Sequence, residues 1–282
     1  MEKYLLKIRK KVDKSIRKIL KKHKSIKEID EMLEYSVLLG GKRIRPSIMY
    51  ILAEIYKKDY KMIENEAVAI ELIHAYSLVH DDLPCMDNDE YRRGSLTVHK
   101  KFGEANAVLI GDALLTLAFS VLAESEYSNK NSIIALSYYS GHKGMILGQY
   151  LDILNVENDD ISLRELFEIH LNKTAMLLMA TVEIASISLS LNNEVRNALR
   201  KFILYLGIAY QIQDDILEYE SDFEKIGKKN TDLNNDKSTF PKILGLEESK
   251  KYLEKFTSIA KEIVAGNQML IDFADYLLYR EY

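Results

Sequence analysis

Cysteine, proline and glycine are all scarce in this sequence. A single cysteine, Cys85, among 282 residues cannot form an internal disulfide, which indicates a reducing compartment, so we expect a cytoplasmic protein. With 3 prolines and 12 glycines, little interrupts the chain, and it can carry long helices. The start of the chain lacks the apolar run of a signal peptide. No run approaches the ~20 apolar residues of a membrane span, so we predict none.

A basic excess is also missing. The 43 acidic residues outnumber the 39 lysines and arginines, and the net charge of −4 gives no support for a nucleic-acid-binding surface. Hydrophobic residues make up 47% and charged residues 29%, the balance of a soluble globular protein. The lysine-rich segment 7–27 fits either a basic amphipathic helix on an anionic membrane or a solvated outer helix, and we favour the outer helix.

Apolar residues recur at three- and four-residue spacing through almost the whole chain, which is the period of an α-helix. Alternating strand patterns and internal repeats are absent from the sequence. We therefore predict one all-α domain over residues 1–282. Helices are predicted at 62–83, 104–124, 131–155, 162–190 and 194–220 and, as a final pair, over 241–281, with polar loops at 87–102 and 221–240.

An acidic cluster closes the helix predicted at 62–83. Residues 81–90 contain five carboxylates, whose mutual repulsion a bound cation would offset. Pro84 cannot continue the helical hydrogen bonds, so it should deform the helix and bring Asp81 and Asp87 onto one face. Asp82 is left with a supporting role.

A second acidic cluster, Asp214, Asp215 and Glu218, closes another apolar helix. Its three- and four-residue spacings let these carboxylates face one direction. Magnesium is a hard cation that commonly joins a few carboxylates to substrate phosphates. The two clusters together therefore predict a magnesium site for a phosphorylated substrate.

Several cationic residues lie near the acidic clusters or beside helix starts, where they could bind diphosphate groups. Arg92 and Arg93 follow the first acidic cluster directly, and arginine suits bidentate phosphate binding. The segment 41–46 offers a lysine and two arginines beside a helix start, which is a ready anion site. Lys173 interrupts an otherwise apolar helix, and Lys228 follows the second acidic cluster.

These charged residues fall within a series of short motifs that occur in a fixed order. The motifs are Gly40–Pro46, Glu71–His80, Asp81–Asp87, Arg92–Gly94, Phe102–Ala105, Gly111–Leu114, Gly144-Met145, Gly148-Gln149, Lys173-Thr174 and Gln211–Asp215. In combination they resemble the motifs of the short-chain trans-polyprenyl diphosphate synthases, in particular those of bacterial farnesyl diphosphate synthases. The resemblance covers residues 35–245.

The resemblance implies an isoprenoid synthase fold, a large helical bundle around a deep central cavity. Members of the family are usually homodimers and hold three Mg²⁺ ions with bound diphosphate. Asp81 and Asp87 would bind two of these ions and Asp214 the third. Glu218 replaces the usual final aspartate of the second motif, which lengthens that side chain by one methylene.

The resemblance also assigns the two substrate sites. The allylic diphosphate would be held by Arg92, Lys173, Gln211 and Lys228, with Thr174 beside the reacting carbon. Isopentenyl diphosphate would be held by Lys42, Arg45, His74 and Arg93. The segment 227–237 lacks the glycines often found there, so the chain departs from the family pattern around Lys228.

The implied reaction condenses dimethylallyl or geranyl diphosphate with isopentenyl diphosphate, and farnesyl diphosphate is the expected product. No side-chain general base is evident, so the released diphosphate is the expected proton acceptor. Tyr76 lies five residues before Asp81, about 7 Å further along the helix axis. Its ring should limit the length of the growing tail, and the spacer Cys85-Met86 adds to that limit in this family.

A geranylgeranyl diphosphate synthase is the main alternative, followed by a terpene cyclase and a non-catalytic helical subunit. A cyclase needs no second diphosphate site, and a non-catalytic subunit normally lacks the acidic motifs. Glu71 and His74 match half of a ferritin-like di-iron site, but the sequence has no second copy of that motif. A helical phosphohydrolase built on His80 and Asp81 would leave the second acidic cluster without a role.

Overall fold

The computed structural model describes residues 1–156, 161–226 and 238–278. These residues form two compact units. The first takes residues 1–137 and 180–192, and the second takes the described residues of 138–179 and 193–282. Helices dominate both units, which confirms the all-α class. The single domain over 1–282 stays a prediction.

Seven helices and a small hairpin carry the chain from residue 2 to residue 140. They are α1 (Glu2–Lys22), α2 (Lys27–Leu38), α3 (Ile44–Ile55), α4 (Glu64–Asp81), β1 (Tyr91–Arg92), β2 (Ser95–Leu96), α5 (Val98–Phe102), α6 (Glu104–Ala123) and α7 (Lys130–Ser140). A 3-10 turn, Tyr60–Ile63, precedes α4. Helix α4 is therefore two residues shorter at its start than the helix predicted at 62–83, and it is also two residues shorter at its end.

Helix α1 packs its apolar stripe into the first unit, where it contacts α2, α3 and α4. Leu5, Ile8, Val12 and Ile16 are almost fully buried, while the lysines of α1 lie on the opposite, solvated face. The apolar face is therefore used inside the protein. This is the arrangement of an outer helix, as the sequence analysis favours.

Helices α4 and α6 pack along each other. Gly111 of α6 lies so close to His80 of α4 that a Cβ on Gly111 would come within 1.9 Å of the imidazole Nε2. Within the described residues, α6 is long and apolar enough to cross a membrane by length and composition alone, contrary to the expectation that no segment reaches that length. A core helix of a soluble protein passes the same test, and Ala107, Ile110 and Leu114 of α6 are buried.

The predicted loop at 87–102 contains the antiparallel pair β1 and β2, followed by α5. Between the strands, Arg93 and Gly94 both have positive φ (54° and 75°), which a type I′ hairpin turn requires. The segment predicted as a loop therefore contains a short hairpin and a short helix. Strands of two residues are too short to show an alternating pattern in the sequence.

The chain from residue 145 onward is also helical in its described part. It forms α8 (Met145–Val156), α9 (Leu163–His170), a π-helical turn (Leu171–Ala175), α10 (Met176–Ser188), α11 (Asn193–Ile226), α12 (Phe240–Leu244), α13 (Leu246–Ile263) and α14 (Gln268–Leu278). In the second unit, Leu166 and Ile169 of α9, Ile212 and Ile216 of α11, and Phe240 of α12 form an apolar core.

Three predicted boundaries in this region are wrong. The helix predicted at 131–155 is two helices, α7 and α8, separated by a turn so tight that a Cβ on Gly144 would lie 2.1 Å from the Tyr139 carbonyl oxygen. Helix α11 continues through the start of the predicted loop to Ile226. The final pair is three helices, because Gly245 (φ 81°) separates α12 from α13.

Candidate active site

The first acidic cluster lies where α4 ends. The helix stops at Asp81, and Pro84 stands in the turn that follows, so the helix ends rather than bends. The Asp87 backbone N–H donates to the Asp81 carbonyl oxygen at 2.9 Å, which closes this turn. The structure thus brings together the two residues predicted as metal ligands, by a reversal of the chain.

Asp82 has a different environment from its neighbour. Its carboxylate is buried and accepts a hydrogen bond from Arg92 Nε at 2.6 Å, while Asp89 lies 3.3 Å from Arg92 Nη2. Burial raises the pKa of Asp82, and the Arg92 charge opposes part of that rise. Asp82 therefore holds the arginine that is predicted to bind the allylic diphosphate.

Arg93 packs across the loop between α2 and α3. Its Nη1 donates to the Gly40 carbonyl oxygen, and a Cβ on Gly41 would come within 2.5 Å of the same nitrogen. Gly40 and Gly41 both have positive φ (110° and 118°), so this loop needs glycine for its backbone conformation as well as for space. The two glycines let Arg93 lie against the loop that carries Lys42.

Arginines surround His74 on α4. Burial lowers the pKa of the imidazole well below its usual 6.5, and so do the positive charges of four neighbouring side chains. These are Arg45, Arg93, Arg43 and Arg92. A neutral imidazole among four guanidinium groups marks a patch that favours a polyanion. Arg45 and Arg93, which are predicted with His74 to hold isopentenyl diphosphate, are thus near enough for their charges to act on its imidazole, and the exposed Lys42 lies on the adjoining loop.

Tyr76 is buried on α4, and its ring packs edge-on against His80 with the centroids 5.8 Å apart. Burial and the nearby Asp81 charge raise the pKa of its hydroxyl to about 12. Within the described residues, that hydroxyl has no hydrogen-bond partner. The side chain therefore contributes by packing rather than by hydrogen bonding.

In the second unit, Lys173 and Thr174 lie in the π-helical turn between α9 and α10. Such turns occur frequently at functional sites. Helix α8 approaches this turn so closely that a Cβ on Gly148 would lie 2.0 Å from the Lys173 backbone nitrogen. Glycine at this position of the Gly148-Gln149 motif thus permits the packing that supports Lys173.

Sequence reasoning gave no role to Asp152, yet its carboxylate accepts a hydrogen bond from Lys173 Nζ at 2.6 Å. Asp152 lies four residues after Gly148 on α8. That spacing places both residues on the helix face that meets the π-helical turn, and it is a signal that could have found Asp152.

A chain of polar contacts continues from the π-helical turn to α11. Thr174 Oγ1 donates to Gln211 Oε1 at 2.8 Å, and Gln211 Nε2 donates to Asp215 Oδ1 at 3.3 Å. The other oxygen of the buried Asp215 lies 3.1 Å from His170 Nε2 and accepts the Phe240 N–H at 3.0 Å. His170 belongs to this network as well.

A cleft of about 190 Å³ opens beside these contacts in the second unit. Its polar lining includes Asp152, Lys173, Gln211, Asp215 and Glu218. Asp214 is half-buried, and among the described residues it is Asp215 rather than Asp214 that lines this cleft. Lys228 lies outside the described residues.

The carboxylates fit magnesium that arrives with a phosphorylated ligand. Within residues 1–156, 161–226 and 238–278, no three His, Cys, Asp or Glu side chains are grouped closely enough to hold a metal ion. Magnesium is usually bound through one or two carboxylates together with water and substrate phosphates. Asp81 and Asp87 supply that small number of hard oxygen ligands.

The Glu71 carboxylate is paired with Arg43. It accepts a hydrogen bond from Arg43 Nη1 at 2.6 Å, and both side chains are buried. The pair Glu71 and His74 is therefore not arranged as half of a di-iron site.

A model of the polyprenyl synthetase family matches residues 26–270. The chain belongs to the polyprenyl synthetase family. It is 44% identical over 237 residues to farnesyl diphosphate synthase of Micrococcus luteus, a match that covers 83% of this chain and 81% of that protein. It is 39% identical over 265 residues to a chloroplastic geranylgeranyl pyrophosphate synthase of Catharanthus roseus, covering 90% of this chain and 74% of that protein.

A solved structure of the same fold carries ligands. The geranyltransferase of Helicobacter pylori complexed with magnesium and isoprenyl diphosphate matches 98% of this chain and 96% of its own with a TM-score of 0.79 and 32% identity. The family and the isoprenoid synthase fold inferred from the motifs are thus confirmed.

Proposed function

We propose that this protein is a magnesium-dependent prenyl transferase that condenses dimethylallyl or geranyl diphosphate with isopentenyl diphosphate to give farnesyl diphosphate. The observation that carries the proposal is the patch of guanidinium groups around the neutral His74, on the helix that ends at the turn of Asp81 and Asp87. Guanidinium groups suit the diphosphate, and the carboxylates suit its magnesium. Relatives named for prenyl diphosphate synthesis support this chemistry.

Residues of the first unit are proposed to bind isopentenyl diphosphate. These are Lys42, Arg45, His74 and Arg93. Arg92, held in place by Asp82, is assigned to the allylic diphosphate. Guanidinium groups bind diphosphate oxygens through paired hydrogen bonds, which fixes the orientation of the ligand as well as its position.

In the second unit, Lys173, Gln211 and Lys228 are proposed to bind the allylic diphosphate, with Thr174 beside the reacting carbon. Asp81, Asp87 and Asp214 are proposed to hold three magnesium ions. Magnesium, when bound, stabilises the charge that develops on the leaving diphosphate. Lys173 and Arg92 are each proposed to add to this stabilisation.

The proton that leaves the condensed product needs an acceptor. His74 is a poor base, because its protonated form would stand among four guanidinium groups that lower its pKa. The released diphosphate is therefore the proposed acceptor.

The product length is proposed from Tyr76. Relatives carry the names of both farnesyl and geranylgeranyl diphosphate synthases, so family membership alone does not choose between them. The buried ring of Tyr76, about 7 Å along the axis of α4 from Asp81, supports the shorter product.

The protein is further proposed to be a homodimer. Val108 and Leu109 of α6 and Ile134 of α7 are large apolar side chains that stay 42%, 63% and 58% exposed. Exposed large apolar side chains are candidates for an interaction surface. A second copy of the chain would cover them.

Product analysis tests the proposed function. The purified protein is incubated with Mg²⁺, dimethylallyl diphosphate and radiolabelled isopentenyl diphosphate, and the dephosphorylated products are sized by chromatography. We expect a fifteen-carbon alcohol that disappears with a chelator or with Asp87→Asn and persists with Glu126→Gln, which removes an exposed carboxylate of the same unit. Bound label without any product would indicate a non-catalytic subunit, and a hydrocarbon formed from the allylic substrate alone would indicate a cyclase.

A further inference from the structure

Arg43 is a buried arginine to which the proposed reaction gives no role. It precedes α3 between Lys42 and Arg45, and its backbone has a positive φ of 53°. Only a few per cent of non-glycine residues adopt this conformation. Burying a guanidinium group is unfavourable unless partners compensate for the lost hydration.

All parts of the Arg43 guanidinium group have partners, and the partners come from three helices. Its Nε donates to Asp13 of α1 at 2.9 Å, and its Nη1 donates to Glu71 of α4 at 2.6 Å. Its Nη2 donates to the carbonyl oxygen of Val37, near the end of α2, at 2.7 Å. Two carboxylates and a carbonyl therefore fix the planar group from three directions.

These contacts hold a loop whose backbone is unusual along its length. Gly40, Gly41 and Arg43 all have positive φ. Arg93 lies against the outer side of the loop at Gly40 and Gly41, while Arg43 reaches inward from its end. Lys42 stands between these two attachments, so its direction depends on both of them.

The same contacts connect the loop to the helix that carries His74. Glu71 lies one turn before His74 on α4, and its partner Arg43 lies two residues before Arg45. A change in the ion pair of Arg43 and Glu71 would shift Lys42 and Arg45 relative to His74. A misplacement of about 1 Å in a positioning contact can cost about a hundredfold in rate or affinity.

We propose that Arg43, held by Glu71 and Asp13, is a positioning residue that sets the geometry of the isopentenyl diphosphate site. This inference rests on the proposed function, because it assigns a role within the site of that reaction. The role acts through Lys42 and Arg45, and Arg43 itself does not touch the substrate.

Steady-state kinetics of Arg43→Lys tests the proposal. Lysine keeps the charge, so Glu71 retains a counter-ion, but a single ammonium group cannot reproduce the planar fork that reaches three partners. We expect the KM for isopentenyl diphosphate to rise at least tenfold, with the KM for the allylic diphosphate and kcat both within threefold of wild type. Glu71→Gln should change the same KM in the same direction by a smaller factor, because the amide oxygen still accepts one hydrogen bond.

Arg17→Lys is the matched control, since Arg17 is an exposed arginine of α1 whose guanidinium lies 3.6 Å from Glu34. It should leave both KM values unchanged. If Arg43→Lys does not fold, Glu71→Gln carries the test. A lower Tm with unchanged KM in the folded variants would show a merely structural role and overturn the proposal. Wild-type protein that forms no prenyl product would instead refute the proposed function, and the positioning role with it.

Discussion

Tyr76→Ala should lengthen the product from fifteen to twenty carbons or more. The ring is buried on α4, about 7 Å from Asp81 along the helix axis, where it would meet the end of the growing tail. Alanine keeps the helix and removes the obstruction. The change in product therefore follows from space alone, without any change in the metal or diphosphate sites.

The magnitude follows from burial. Truncating a buried aromatic residue to alanine costs about 3–5 kcal/mol, through lost transfer free energy and the cavity that remains. No hydrogen bond of the Tyr76 hydroxyl adds to this cost within the described residues. Five additional carbons of a prenyl tail, buried in that cavity, contribute about 4 kcal/mol at ~0.8 kcal/mol per CH₂. Even half of that gain shifts the preference between two tail lengths by more than tenfold, since about 1.4 kcal/mol is a factor of ten.

Chromatography of the dephosphorylated products measures the outcome, with circular dichroism to confirm that the variant folds. Tyr76→Phe is the matched control, because it keeps the ring and removes a hydroxyl that has no partner in the described chain. Its product should stay that of wild type. A folded Tyr76→Ala enzyme that still stops at fifteen carbons would refute the assignment of Tyr76 as the floor.

Glu66, His74 and Leu109 give three other predictions. The carboxyl group of Glu66 accepts hydrogen bonds from two serines, and burial raises its pKa. The folded protein therefore favours the protonated form of Glu66. This contribution to stability is complete below the unfolded pKa of ~4.3 and is lost as pH rises through the folded pKa. In urea titrations, Glu66→Gln should therefore gain stability relative to wild type between pH 4 and pH 8, and a constant difference would contradict this. The folded pKa of His74 is lowered, so the unfolded chain takes up the proton first as pH falls through 6.5, and stability falls with it. His74→Gln should remove this loss of stability in urea titrations between pH 6.5 and pH 5.5, and an unchanged slope would count against a neutral His74. Leu109→Glu should convert the proposed homodimer to a monomer in light scattering, whereas Leu6→Glu on the exposed face of α1 should not. A dimer in both variants would place the interface elsewhere.

The helical class could be predicted from sequence because apolar residues repeat at the helical period over long stretches. The ends of the helices could not be predicted where tertiary contacts decide them. The turn between α7 and α8 depends on the approach of Gly144 to the Tyr139 carbonyl, and the hairpin depends on the turn at Arg93 and Gly94. The hairpin lies in a polar segment that carries no helical pattern, and residues 141–144, between α7 and α8, form only a short polar break.

In the candidate site, too, the sequence predicts some features and not others. Motifs identified the charged residues, since charge at the end of an apolar helix stands out in a sequence. Their partners were harder to find, because the pairs join different elements. Lys173 meets Asp152 across 21 residues, and Arg43 meets Glu71 across 28. Asp152 has a local signal in its four-residue spacing from Gly148, whereas no local spacing reports the pairing of Arg43 with Glu71.

The floor assignment depends on more than the five-residue spacing between Tyr76 and Asp81. Tyr76 packs edge-on against His80, and His80 Nε2 lies 3.1 Å from the Val108 carbonyl oxygen of α6. The imidazole occupies the space that a side chain at Gly111 would fill. Because His80 is confined between α4 and α6, we expect the Tyr76 ring to keep the position that is proposed as the floor for the tail. A tyrosine at the same spacing beside an unconfined neighbour could rotate away and would not limit the tail.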